Sequence, residues 1–217
     1  MGEHGVAVGG GNSSDDPVRK RWEIFFGFTV TLFAAILALN ELASGKYGDD
    51  ELQLNSEKTS AYLWYQSKGI KETLTEGQRD LLKAFLAGGV IGADKSETVN
   101  KQLADLDVKI TRYTKEKREI LEGSTAVGKA NWAQDVDGEL GKVPGVKPIE
   151  KRLERLGTAG DRFDLGTLFL QIALVLGAVG IIVTQEKLKR LFFGVMLFMG
   201  VAGTSCGLMA LRIAGFL

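Results

Sequence analysis

One cysteine and one histidine occur among 217 residues, and neither falls where chemistry would need it. Cys206 lies inside the last apolar run, so the polar part of the chain has no thiol for a disulfide or a soft metal. His4 lies in a Gly-rich stretch at the N-terminus, which removes the usual imidazole base, nucleophile partner or metal ligand from the remainder. No phosphate loop, dinucleotide fingerprint or nucleophile elbow occurs. The glycines of Val8-Gly9-Gly10-Gly11 follow no strand. The expectation is a protein without catalysis, metal or cofactor. Net charge is missing too: 27 basic residues balance 27 acidic ones, and Lys46 to Arg162 alone holds 20 of each. A nucleic-acid partner calls for a basic surplus on one face, so nucleic acid is set aside.

Long apolar runs are present, and they organise the chain. Residues 162–184 and 191–212 are two runs flanking the charged turn 185–190, which reads Gln-Glu-Lys-Leu-Lys-Arg. A helix of about 20 residues rises about 30 Å, the thickness of a hydrocarbon core. A third run, 19–43, begins with Arg19-Lys20-Arg21-Trp22, a basic flank and an interfacial aromatic ahead of a span. A cleaved signal peptide is disfavoured because Glu41 stands two residues before Ala43, where cleavage needs a small side chain. Residues 1–18, rich in Gly, Ser, Asn and Asp, read as a disordered tail. Basic residues before the first span and in the turn 185–190 fall on one side of a three-span protein. That places the N-terminus in the cytoplasm and residues 44–161 outside.

The middle segment shows no strand-type alternation and reads as helix. Val99, Leu103, Leu106, Ile110, Tyr113 and Ile120 recur at steps of four and three, with Lys117 in the vacant slot, where its stem packs and its ammonium reaches water. Asp94 and Glu97 predict a capping box, and Gly123 a stop. Leu63, Ile70, Leu74, Leu81 and Phe85 form a second stripe that ends at Gly88-Gly89. Together these predict a helical hairpin with its tip at 87–95, followed by a Gly/Pro loop over 123–148 in which Trp132 either anchors at headgroups or packs. From Ile149 the steps resume through Leu153, Leu156, Gly160 and Phe163, predicting one helix running into the second span.

Several residues are candidates for function. The tip residues Phe85, Leu86, Val90 and Ile91 are apolar where a solvated turn is normally polar, which points to an interface. Gly203 and Gly207 form a GxxxG pair suited to close helix approach, within one chain or between chains; Ala173 with Gly177 and Thr31 with Ala35 are similar small pairs. Gln171 is the most deeply placed amide of the spans, with two readings: a contact inside the bundle, or a pore-lining group. Asn40, Glu41 and Asp164 lie near the outer ends of two spans, either as an interfacial pairing or as an ion-attracting vestibule.

Three patches resemble the bacterial membrane-protein family catalogued as domain of unknown function 4337. They are Trp64-Tyr65-Gln66-Ser67-Lys68-Gly69-Ile70-Lys71, Ile110-Thr111-Arg112-Tyr113-Thr114-Lys115-Glu116-Lys117, and Arg162-Phe163-Asp164-Leu165 leading to Gln171-Ile172-Ala173. The resemblance runs from about Arg19 onward and implies an inner-membrane protein with a helical middle domain, and no activity. The Trp-Tyr adjacency, Gly69 and the Gly/Pro insertion after Gly123 depart from the family pattern. The combined expectation is an all-α protein with three membrane helices and a periplasmic coiled-coil hairpin. It partners membrane lipid and either its own copies or other membrane subunits, as a scaffold or accessory subunit; the alternative is a homo-oligomeric channel.

Overall fold

The computed structural model describes residues 17–215. Most of the tail expected over 1–18 lies outside the described residues, and helix α1 (Pro17–Ala87) already includes Pro17 and Val18. Proline suits a first helical position, where its missing N–H would have no partner. Helices α2 (Ser96–Glu122), α3 (Ser124–Val127), α4 (Val146–Ile182) and α5 (Glu186–Ala214) follow. Three of these five, α1, α4 and α5, are long and apolar enough to cross a membrane. Chain contacts divide the protein into two compact units, one comprising the chain to Tyr47 with Thr158 onward, the other Gly48–Gly157.

In the first unit, parts of α1, α4 and α5 enclose a core of Phe26, Phe33, Leu170, Ala173 and Met196. Trp22, Phe26 and Phe193 meet edge-on or tilted, with Phe26 and Phe193 centroids 5.1 Å apart. The helices approach closely because glycines supply the hollows. Phe33 lies directly over Gly200, where no side chain could fit without displacing the ring. The charged residues expected in the turn 185–190 belong instead to α5, whose helix begins at Glu186 after an extended Gln185. Glu186 is thus in the first turn, where a carboxylate is favoured by the helix dipole.

In the second unit, α1 ends where the glycines predict. Gly89 takes a left-handed φ of 65°, the Gly89 N–H donates to Leu86 O, and the Val90 N–H donates to Phe85 O. This is the paired-bond helix stop that glycine makes accessible. The expected capping box does not form. A 3-10 turn over Ala93–Lys95 intervenes, Asp94 folds back against Gly92, and Glu97 pairs with Lys101. Gly123 does stop α2, its N–H donating to Glu119 O.

The stretch read as a Gly/Pro loop carries short regular elements. Asp135–Val136 and Glu139–Leu140 pair as a two-stranded antiparallel ribbon, β1 and β2, so the segment is not helix throughout. The Asp137-Gly138 turn has φ of 54° and 84°, the doubly left-handed geometry that Asp-Gly favours in two-residue hairpins. Helix α4 begins at Val146, before the expected 149, and Pro148 in its first turn needs no hydrogen bond. It continues through Gly157 and Gly160 without a break.

Candidate functional site

The seam predicted on α2 faces inward: Val99 and Ile120 are buried, with Leu103, Leu106, Ile110, Tyr113 and Lys117 half-buried. The stripe predicted on α1 does not meet it. Leu63, Ile70, Leu74, Leu81 and Phe85 face outward at 61%, 62%, 63%, 55% and 40% exposure. The inward face of α1 carries Ala61, Tyr65, Lys68, Glu72, Thr75, Arg79, Leu82 and Leu86 at steps of four and three.

Charge pairing explains the choice of face. Lys117 Nζ lies 2.6 Å from Glu72 Oε2 and 5.4 Å from the Tyr65 ring centre, so it is a partnered seam residue and not one reaching for water. Burial pushes the Glu72 carboxyl up, but hydrogen bonds from Lys117 and Thr114 and the Lys117 charge outweigh it and hold it below the usual range. The Glu72 hydrogen bond raises Lys117, against desolvation. The adjacent Glu116 is fully buried, with Arg112 Nε donating to Oε1 at 2.7 Å. Lys68 Nζ lies 2.7 Å from Oε2 in an ion pair whose angle is poor for a hydrogen bond. A buried carboxylate left without its partner costs about 3–5 kcal/mol. Turning the apolar stripe inward would remove Lys68 and Glu72 from these positions.

A second constellation was not legible in the sequence. Glu119 is fully buried near the end of α2. Its Oε1 accepts from Ser124 Oγ at 2.7 Å, and its Oε2 accepts the backbone N–H groups of Ala133 and Gln134, each at 2.8 Å. Ser124 Oγ in turn accepts the Val143 N–H, and Trp132 Nε1 donates to Ser124 O. One carboxylate therefore ties down the segment that composition reads as loose. Trp132 packs over Gly141, whose φ of 84° and lack of a side chain admit the ring, so of its two readings the packing one describes its place here. The one sequence signal was the density of glycine and proline, which marks turns but not what fastens them.

Among the tip candidates, Val90 is 72% exposed, while Leu86 and Ile91 are half-buried. The exposed apolar surface is thus longer than a tip; it runs down α1 from Phe85 to Leu63.

The polar and small candidates of the three long apolar helices sort differently from expectation. Asn40, not Gln171, is the buried amide: its Nδ2 donates to Phe163 O at 3.0 Å and to Thr167 Oγ1 at 2.9 Å. Gln171 faces out of its unit, so the reading of a contact inside the bundle is corrected. Glu41 and Asp164 also face outward, and it is Asn40 that crosses to α4. Gly203 and Gly207 are buried within the chain, against Gly166 and Leu170 for the first and Asn40 for the second, so they are not exposed for contact between chains. Ala173 and Gly177 are buried too, whereas Thr31 and Ala35 are exposed. Among the described residues, no group of three or more His, Cys, Asp or Glu side chains is placed to hold a metal ion.

A family model described as Domain of unknown function (DUF4337) matches residues 22–213, nearly the whole chain. No curated protein and no solved structure matches it.

Proposed function

We propose that this chain, which belongs to the family described as domain of unknown function 4337, works by association in a membrane and without catalysis, as a self-associating scaffold or an accessory subunit of a larger membrane complex. Three helices of sufficient length and hydropathy support the membrane part of this reading. Lys20 and Arg21 before the first span, and Lys187, Lys189 and Arg190 in the first turns of α5, support a cytoplasmic N-terminus and a periplasmic segment 44–161.

The observation that carries the associative part is the outward stripe Leu63, Ile70, Leu74, Leu81 and Phe85. The summed exposed area of these side chains is on the order of 500 Å², the size of the largest apolar patch on a typical monomer, which is often functional, with exposed Ser67 and Gln78 interleaved on the same face. The heptad-like spacing suits a helix as the covering element. A homo-oligomeric pore is the alternative reading: Asn40 is engaged by α4 and is withdrawn from any wet axis, whereas Gln171, Glu41 and Asp164 face out of the unit, where neighbouring copies would meet them.

The test is the native mass of the full chain in mild detergent, for wild type and for Leu74→Asp with Leu81→Asp. Wild type should run as a homo-oligomer or with a retained partner, and the variant as a smaller particle of unchanged helicity. A lone wild-type monomer with no partner sinks the reading.

A further inference from the structure

We propose that Gln171 is the centre of a contact between the α4 helices of two copies of this chain within the membrane. The inference rests on the membrane and self-association readings above and adds to them a surface, a partner and a register.

Leu168, Gln171, Val175, Ala178 and Ile182 fall at steps of three, four, three and four along α4, the spacing of a two-helix seam. All five face outward, Leu168, Val175 and Ile182 at 50%, 63% and 79% exposure. Four are apolar and would be at ease against lipid. Gln171 would not. It stands nine residues, about 14 Å, along the helix from Arg162, deep within the apolar run. Its amide has two donor hydrogens and an acceptor oxygen, and hydrocarbon satisfies none of them. Among the described residues no group within the chain is hydrogen-bonded to that amide.

The chemistry of the amide selects the occupant. A partner must offer both a donor and an acceptor at the same depth, on a helix able to pack along an apolar seam. A second copy in the same membrane shares this chain's orientation, so its Gln171 lies at the same level. Across a two-fold axis each amide donates to the other, a self-complementary contact of the kind that closes dimers. Polar side chains bonded between membrane helices act as such glue. Asp164, one seam position further out, would set like charges across the axis and so ends the seam near the surface.

The experiment uses the full chain with Cys206→Ser, reconstituted in lipid, carrying a single cysteine at Leu168, Val175 or, on another exposed face, Phe198. Oxidation should link Leu168→Cys and Val175→Cys into dimers and leave Phe198→Cys unlinked. In mild detergent Gln171→Leu should weaken the dimer about tenfold in dissociation constant while Gln171→Asn loses less. A dimer that forms without links at Leu168 or Val175, or that is indifferent to Gln171→Leu, overturns this inference and leaves self-association standing. A wild-type chain that is monomeric in lipid overturns both.

Discussion

Lys117 and Glu72, 45 positions apart in the chain, meet at 2.6 Å across the seam between α1 and α2. The pair occupies the one seam slot of α2 that lacks an apolar side chain, and it sets which face of α1 turns inward.

Stability of the second unit should depend on pH through this pair at both extremes. Glu72 is lowered from 4.5, so its contribution is present above that value and is lost as pH falls through the still lower folded-state pKa. Lys117 is raised from 10.5, so its contribution is present below that value and is lost as pH rises through the higher folded-state pKa. A double-mutant cycle with Glu72→Gln and Lys117→Met, followed by thermal unfolding near neutral pH, should return a coupling of about 1 kcal/mol. An acid limb unchanged by Glu72→Gln would show that other carboxylates carry it.

Glu119→Ala should release the segment from Ser124 to Val143. Two backbone N–H groups and a hydroxyl would lose their acceptor, at a cost of about 3 kcal/mol in all. Hydrogen exchange at Ala133 and Gln134 should accelerate while the α2 seam stays protected, and Trp132 fluorescence should shift red. Protection unchanged at those two amides would refute the staple.

Gly200→Val should disturb the first unit, because the added side chain occupies the space of the Phe33 ring. Overpacking of this sort costs about 1–3 kcal/mol. Thermal unfolding in detergent should register it, and pairing the change with Phe33→Ala should recover part of the loss. A destabilisation that Phe33→Ala deepens instead would place the close contact elsewhere.

Topology is testable with cysteines on the second unit, in a Cys206→Ser background. Asn100 and Thr125 are exposed, whereas Ser124, an obvious choice from sequence, is buried against Glu119. Asn100→Cys and Thr125→Cys should react with an impermeant thiol reagent on intact spheroplasts. Labelling that requires lysis reverses the orientation.

Local rules were enough for much of this protein. Hydropathy and length mark the three apolar helices, Gly88-Gly89 and Gly123 end their helices through backbone geometry that glycine alone makes easy, and the steps of four and three along α2 identify its inward face. Each of these is decided by residues within a few turns of one another. What only the tertiary structure decided is which face meets which. Periodicity groups Leu63, Ile70, Leu74 and Leu81 on one side of α1 but does not say whether that side meets α2. The outcome turned on Glu116 and Lys117, side chains on another helix whose charges need Lys68 and Glu72 opposite them. The same holds in the apolar helices, where Asn40 and Gln171 are alike as amides and equally visible in sequence. Asn40 is buried with Phe163 O and Thr167 Oγ1 within reach of it, and Gln171 is left outside, with no hydrogen-bonding group among the described residues beside it. Burial of a polar group depends on a partner brought from far along the chain, and that partner's position exists only once the helices have packed.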